Sequence, residues 1–600
     1  MLARADFAPG RALAAVLLAG AALALYWSAL RHPLVFDDFH LSRNMLGTYY
    51  AHATDRFGMP RWLSDASFYW VHLASGGDLL WQRLANVLLH AATAVVLYGF
   101  LARLFAAVLD EQRESRRLAF FGALWFLAHP VAVYGVAYVI QRSSVLATFF
   151  CVLALWCVLE GLLRRSPAWY AAALAAYVLA LFAKEHAAML PAVAAALALL
   201  VRGPSAALLR RLGLALVAAA LIGALVLARR RNLIGAAYEP FAADILGGAG
   251  PPIEGAYALS IVNQATLFFR YLATCLVPWP GWMSIDVRTP FPRQLFGWPQ
   301  TAGLLAWLAF PVAALLLIRR GGRAGLAGFG LGYFWLMALT EYAAVRAQEP
   351  FVLYRSYLWL SGLPAILPAV LSPLPPRWRI AVPAVVIAAL AAAAHERIGT
   401  FASPLRLWDD AVRQNAGSTA PYVERAYVNR GLAYLSDARL EAASADFERA
   451  LELNPRYGDA YLGRGTLRLR GGRLREALED LDRAVALDPT HPSPYHKRCV
   501  IKAGQGRMRE ALADCDKAAE LDRNNYEVWI NRGVVLRAVG RGDDAAASYE
   551  RALELRPRNG SAHYNYGVLL LDRRRDGEAL RHFQLACEVH LQDACDLLRK

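Results

Sequence analysis

The chain has 600 residues, 57% of them hydrophobic and 19% charged, with a formal net charge of +16. The averages conceal two unlike halves, apolar blocks up to about His395 and polar helical sequence after about Phe401, which excludes a single soluble domain. The basic excess does not mark a nucleic-acid binder, because much of it lies in short Arg clusters between apolar runs, where it sets membrane topology.

Apolar runs near twenty residues long predict membrane-spanning helices. In chain order they fall near residues 11–30, 79–107, 118–133, 143–163, 167–183, 187–201, 211–228, 298–318, 324–341, 357–373 and 379–395, about eleven spans. The first run is read as a retained span, because RHPLVFDD offers no small-x-small cleavage site and more spans follow. Tyr257–Val277 is ambiguous. It carries Asn263, Gln264 and Arg270, so it is expected to lie along the surface or be re-entrant.

With a cytoplasmic N-terminus and no crossing at Tyr257–Val277, five basic clusters fall inside: Arg113 to Arg117, Arg164 and Arg165, Arg202 to Arg211, Arg319 to Arg323, and Arg377 with Arg379. The C-terminal half then lies in the periplasm. Arg229, Arg230 and Arg231 break the pattern on the outer side, as a snorkelling rim or as contacts to a lipid phosphate. Richness in Ala, Leu and Arg fits a bacterial chain, and hence its inner membrane.

The C-terminal half repeats every 34 residues. Gly431, Gly465, Gly533 and Gly567 share one slot, with Cys499 in the remaining repeat. Alanines recur at Ala443, Ala477, Ala511, Ala545 and Ala579, and again at Ala450, Ala484, Ala518, Ala552 and Ala586. Pro455, Pro489 and Pro557 close three repeats. Small residues let two antiparallel helices approach, and the proline ends the second. This is the tetratricopeptide pattern, in five repeats over 424–593, before a tail at 594–600. Such arrays stack into an α-solenoid that binds peptides or proteins. The fold class is therefore all-α: a polytopic membrane domain over 1–400, a linker or partial repeat over 401–423, then the solenoid.

Cys587 and Cys595 sit eight apart, a spacing also found in disulfide-bearing relatives of such repeats. Cys499 and Cys515 lie on the two helices of one repeat, at positions that usually face each other. In an oxidising periplasm either pair could be bridged; the alternative is small buried residues.

The outer loops hold the polar residues that hydropathy does not explain. Asp37 and Asp38 follow the first span. Later come His129 and Arg142; Lys184, Glu185 and His186; Asp286; and Glu349, Arg355 and Tyr357. Charges near membrane depth are costly unless paired or functional. Acids and bases converging on one side suit a reaction between a membrane-held phosphate donor and a periplasmic acceptor. Arg142, Lys184, Arg355 and Arg229 would bind the phosphate. A carboxylate would act as general base or position a divalent metal; no other cofactor is expected. No nucleotide-binding motif occurs, which points to a lipid-linked donor. Each residue has a structural alternative: a solvated or capping acid pair, an ion pair for Arg142, mutual neutralisation of Lys184 and Glu185, helix capping by His129, and an interfacial anchor at Arg355. Asn86 and His90, one turn apart on a span, read as helix-packing polars.

The same residues carry a resemblance. FDD at 36–38 with Asn44, LANVLLH at 84–90, AHPVAVYGVAYVIQRSS at 128–144, FAKEHA at 182–187, YRSYLWLSG at 354–362 and the terminal repeats occur in order. Together they resemble the transmembrane and tetratricopeptide-repeat protein O-mannosyltransferases and their bacterial relatives, of the GT-C glycosyltransferase type. After His129–Pro130 an acid is common in the eukaryotic members, and here Tyr134 occupies that place. The resemblance implies transfer of a sugar from a polyprenyl-phosphate donor to a protein hydroxyl, with Asp37 and Asp38 catalytic. The expected function is thus glycosyl transfer to Ser or Thr of a periplasmic or surface protein, with the repeats binding the acceptor. The rivals are transfer to a lipid or polysaccharide acceptor, and a non-enzymatic membrane-anchored repeat scaffold.

Overall fold

A computed structural model describes residues 8–41, 61–227, 253–418 and 420–599. The described residues form helices, 3-10 turns and loops, with no strand. The chain divides into two compact units, up to Tyr422 and from Val423 onward. The second unit begins one residue before the expected first repeat at 424, and residues 401–422 cluster with the first unit. The reason is local: helix Pro404–Gln414, expected as a linker or partial repeat, docks on the first unit. Its Asp410 meets Arg397 at 3.0 Å, and the Asn415 amide donates to the Asp286 carbonyl at 2.7 Å.

The first unit runs α1 Arg11–Tyr26, α2 Trp62–Ser75, α3 Leu79–Leu109, α4 Gln112–Ala128, α5 Pro130–Val136, α6 Arg142–Arg164, α7 Pro167–Ala183, α8 Leu190–Arg202 and α9 Ala206–Leu227. After these come α10 Ala256–Leu276, α11 Gln300–Arg320, α12 Gly322–Ala338, α13 Trp378–Thr400 and α14 Pro404–Gln414. Among the described residues six helices are long and apolar enough to cross a membrane: α3, α6, α8 and α9, α11 and α13, the α6 and α8 counts including their leading 3-10 turns. The pair α4 and α5 makes a seventh if its 60° bend is one broken span. The bend lies at Pro130, which brings no backbone N–H; His129 Nδ1 caps the new helix by accepting the Val131 N–H at 3.2 Å. Helices α1 and α7 are apolar but shorter.

One expected span is broken, and the ambiguous stretch forms a helix that is not among the candidate spans. Residues 357–373 do not make one helix. They form a one-turn helix at Tyr357–Leu360, a 3-10 turn at Leu363–Ile366 and a short helix at Leu367–Leu371. Pro364 and Pro368 each remove a donor from the helical ladder. Tyr257–Val277 is a regular helix, α10, with Asn263 and Gln264 buried. Its polar side chains serve the irregular segment 344–352. Ser260 Oγ accepts the Arg346 N–H at 2.9 Å, Gln264 Nε2 donates to the Pro350 carbonyl at 2.8 Å, and Tyr271 Oη accepts the Val352 N–H at 2.6 Å. Irregular backbone among apolar helices persists only when its polar groups find such partners.

At one end of the first unit, Glu114 of α4 gathers arginines from three helices: Arg117 at 4.0 Å, Arg323 of α12 at 3.9 Å and Arg379 of α13 at 3.8 Å.

The second unit is five antiparallel helix pairs, from Glu424–Ser436 with Leu440–Leu453 to Gly560–Asp572 with Asp576–Glu588, followed by Gln592–Arg599. The glycine slot faces a large side chain sixteen residues on. A Cβ would lie 2.8 Å from the Phe447 ring at Gly431, 2.5 Å from the Tyr549 ring at Gly533 and 2.8 Å from the Phe583 ring at Gly567. In the third repeat that small–large pair is replaced by a disulfide, Cys499–Cys515, across a Cα separation of 5.4 Å. A second bridge, Cys587–Cys595, ties the last repeat to the terminal helix.

Gly533→Leu should therefore overpack one repeat and destabilise it by about 1–3 kcal/mol. Thermal unfolding of the C-terminal unit reads this as a lower midpoint, partly restored by adding Tyr549→Ala. A Gly533→Leu unit that melts with the wild type would show that this pair does not limit helix approach.

Candidate functional site

Between α1 and α2 the chain makes a 3-10 turn, Phe36–Leu41, that carries both adjacent acids. Phe36 takes a left-handed backbone (φ 52°) that non-glycine residues rarely adopt. Its ring is fixed by stacking on Tyr138 (6.0 Å) and by the edge of Trp408 (5.2 Å). The two carboxylates then part. Asp37 is exposed, and its Oδ2 accepts the Tyr138 hydroxyl at 2.7 Å. Asp38 is fully buried, with Oδ1 accepting the Ile140 N–H at 2.8 Å and Oδ2 without a hydrogen-bond partner. Burial pushes the Asp38 carboxyl up to about 7; the hydrogen bond from Ile140 and the Arg83 charge oppose the rise.

Both acids rest on the 3-10 turn Val139–Gln141, and α3 holds that turn. Arg83 donates to the carbonyls of Pro33 (2.5 Å) and Ala137 (3.4 Å), and Asn86 Nδ2 to those of Val136 (3.3 Å) and Val139 (3.1 Å). Arg142, expected at a donor phosphate, lies instead in this bracket. Its Nε donates to Asn86 Oδ1 at 2.7 Å, its Nη2 to Gln82 Oε1 at 2.8 Å, and its guanidinium stacks 4.0 Å over Phe68. Gln82, Asn86 and His90 form an i, i+4 polar stripe on an apolar helix. The Asn86–His90 half of it is visible in sequence; Gln82 and Arg83 were missed.

A cationic cluster stands beside the acids. Lys184, at the α7 C-terminus, is buried; its Nζ donates to Ser144 Oγ at 2.7 Å and lies 5.5 Å from the Tyr354 ring. Tyr354 in turn packs on Tyr138, 6.2 Å between centroids. Burial, and then the Arg61 charge, bring the Lys184 amine down to about 7. Glu185 is held bidentately by Arg61, at 2.6 and 3.1 Å. His186 Nε2 meets Glu341 Oε1 at 2.7 Å. The other oxygen of Glu341 meets Arg346 and Arg355, each at 3.2 Å. Arg355 also donates to the Glu349 carbonyl at 2.9 Å. Asp37, Asp38, Lys184, Glu185, His186 and Arg355 thus come together from three separate stretches of sequence. Glu341 and Arg346 complete the cluster and were missed, because Glu341 sits at the end of an apolar run read wholly as a span.

Four of the expected site residues lie elsewhere or outside view. Nδ1 of His129 caps α5 and its Nε2 donates to the Cys275 carbonyl at 2.9 Å, so its ring is fully used in helix capping. Tyr357 has no exposure, and its hydroxyl donates to His90 Nδ1 at 2.7 Å, because His90 Nε2 must donate to the Leu127 carbonyl. Asp286 pairs with Arg288 at 2.6 Å, in the loop that receives α14. Arg229 falls outside the described residues. Among the described residues no group of three His, Cys, Asp or Glu side chains converges as a metal site.

The second unit carries its own polar ladder. Arg430 meets Asp446 at 2.7 Å, Arg464 meets Asp480 at 2.8 Å, and Arg498 meets Asp514. Each arginine lies over the ring three residues earlier, Tyr427, Tyr461 or Tyr495, at 5.5 to 5.7 Å. In the fourth repeat Arg532 bonds Ser548 and stacks on Trp529. The aromatics Tyr427, Tyr461, Tyr495 and Trp529 recur at this 34-residue period in the sequence; their arginine and aspartate partners share it and were missed.

Asp38 gives a pH test. A carboxyl raised by folding binds its proton more tightly in the native state, so stability falls as pH rises from about 4 to about 7. Asp38→Asn should flatten this dependence in a pH series of thermal unfolding. An unchanged slope would assign it to other groups.

A tetratricopeptide-repeat family model matches residues 428–492 and 530–588. No curated protein matches the chain. Among solved structures, one titled for Pseudomonas aeruginosa pilF is 23% identical, covering 28% of this chain and 75% of that one, with a TM-score of 0.26. YrrB, described as a TPR protein with an unusual peptide-binding site, is 22% identical over 32% of this chain and 98% of its own, at 0.28. MamA from AMB-1 is 26% identical over 28% and 90%, at 0.25. The C-terminal unit of this chain carries tetratricopeptide repeats.

Proposed function

We propose that the chain is a bacterial inner-membrane glycosyltransferase of the GT-C type. It moves a sugar from a polyprenyl-phosphate donor to a Ser or Thr hydroxyl of a periplasmic or surface protein. The observation that carries this reading is one exposed carboxylate, Asp37, fixed by Tyr138 next to a buried cationic cluster.

Embedding in a membrane is supported by surface chemistry. On α9, Leu214, Val217, Leu221 and Leu225 are 61 to 74% exposed, a cost that water would not repay. Trp279, Trp282 and Trp298 stand exposed in the loop before α11, as aromatic residues do at a membrane interface. The Arg clusters around Glu114 lie at the helix ends away from Asp37, as expected if that end is cytoplasmic and the acid end periplasmic.

In the proposed reaction Asp37 takes the proton of the acceptor hydroxyl, whose oxygen forms the bond to the anomeric carbon. The bond from that carbon to the carrier phosphate breaks, and the phosphate leaves with the electron pair. Direct attack inverts the configuration. Lys184, with Arg355 and Arg346 behind it, offsets the charge on the departing phosphate. Asp38 is a positioning residue that locks the acid turn on Ile140. The repeats bind the acceptor segment, and their arginine–aromatic ladder is the surface for it. The competing reading, a membrane-anchored repeat scaffold, draws on the repeats alone and leaves the buried charge cluster without a role.

Asp37→Asn should reduce transfer by about 10²–10⁴-fold, the range for losing a general base, while membrane insertion is kept. Intact-mass spectrometry of periplasmic and surface proteins from wild-type, deletion and Asp37→Asn strains reads this directly. A sugar mass absent from both mutants is expected. A sugar mass retained in the Asp37→Asn strain would remove Asp37 from catalysis, and no mass difference in the deletion strain would remove the protein-acceptor reading.

A further inference from the structure

A cleft of about 820 Å³ lies between α6, α7, α8 and α9, away from every residue of the acid–lysine cluster. Its walls are apolar, formed by side chains such as Leu155, Val158, Leu174, Leu190 and Leu216. Its polar lining is concentrated at one end. There Arg165 caps α6, Arg202 closes α8, and Arg211 stands in the second turn of α9.

These three cations lack a carboxylate partner among the described residues. The acid on the neighbouring turn of α6, Glu160, is already taken by Arg103 at 3.0 Å and Arg164 at 2.7 Å. Arg202 only donates to the Leu162 carbonyl, which holds its side chain over the cleft mouth. Topology alone explains arginines at helix ends. It does not explain an apolar cleft of ligand-pocket size ending beneath three of them.

We infer that this cleft holds an anionic glycerophospholipid, with an acyl chain between α7 and α9 and the phosphate head at Arg165, Arg202 and Arg211. Charge complementarity sets the head, and the apolar walls set the tail. The ligand is not the sugar donor. Arg165 lies at the opposite end of α6 from Ser144 and Lys184, and 23 residues of helix separate those ends by about 34 Å. No reacting group bound at the arginines reaches Asp37. The lipid instead fills the gap between α9 and the helices beside it, and so stabilises α9. The inference rests on the membrane embedding proposed above, but not on glycosyl transfer.

The test uses the full chain. Carbonate washing of membranes first establishes embedding; a wild-type chain released by the wash would overturn both embedding and the lipid site. Detergent-purified protein is then incubated with phosphatidylglycerol, phosphatidylcholine, undecaprenyl phosphate or glycerol phosphate, and bound lipid is counted by native mass spectrometry. Wild type should prefer phosphatidylglycerol over phosphatidylcholine by about tenfold or more, and the triple variant Arg165→Gln, Arg202→Gln, Arg211→Gln should lose that preference. Ala215→Trp, which fills the cleft from the exposed side of α9, should lower phosphatidylglycerol binding with the arginines intact. Equal phosphatidylglycerol binding by wild type and triple variant overturns the site. Stronger binding of undecaprenyl phosphate than phosphatidylglycerol, lost in the same variants, assigns the cleft to the carrier lipid and overturns the phospholipid. Full competition by glycerol phosphate shows a headgroup site that does not use the cleft, and overturns it as well.

Discussion

Backbone that leaves the helical ladder inside an apolar bundle must be satisfied by side chains, and the first unit is organised around that requirement. Segment 344–352 is irregular and largely buried, and α10 supplies Ser260, Gln264 and Tyr271 to its polar groups. With the segment so held, Arg346 and Arg355 close on Glu341, and Tyr354 is set between Tyr138 and Lys184. A buried Glu341 without those arginines would be an uncompensated charge, which is far more costly than a missing contact. The cationic cluster is thus a consequence of how one non-helical strip of chain is buried.

The acid turn follows the same logic at smaller scale. Asp38 is buried on the backbone of Val139–Gln141, and that turn hangs from Asn86 and Arg83 of α3. The cost of burying Asp38 fixes the turn, and the fixed turn presents Asp37 to solvent beside Tyr138. One acid of the pair serves structure and the other is left available. The two are chemically identical in sequence and are separated only by what surrounds them.

Much of this was legible in the sequence, and the rest was not, for a physical reason. Hydropathy places the long apolar helices and periodicity places the repeats, because both depend on neighbours along the chain. Polar residues in the loops at 37–38, 184–186 and 355 pointed to the cluster for the same reason: charge next to an apolar run is conspicuous. Partner choice depends on tertiary packing. Arg142 could not be told from a phosphate ligand until Gln82 and Asn86 faced it, and Glu341 was hidden at the end of an apolar run. Pro364 and Pro368 did carry a local signal that 357–373 is broken, and hydropathy averaging masked it.

The repeat unit shows how far local rules extend. A 34-residue period demands that the volume in each glycine slot and its opposite position be roughly constant, since the interhelical distance is set there. Gly431 with Phe447, Gly533 with Tyr549 and Gly567 with Phe583 meet the demand by one small and one large side chain. Cys499 and Cys515 meet it by two medium ones joined covalently. The bridge therefore fits without altering the period, which is why the third repeat still aligns with the others by its alanines. A bridge at that slot also closes a loop of sixteen residues, worth about 3 kcal/mol in the chain-entropy account. The middle of the array gains a covalent constraint where the second repeat packs Gly465 on Leu481 and the fourth packs Gly533 on Tyr549, and the sequence difference at one slot changes the kind of interaction without changing the geometry.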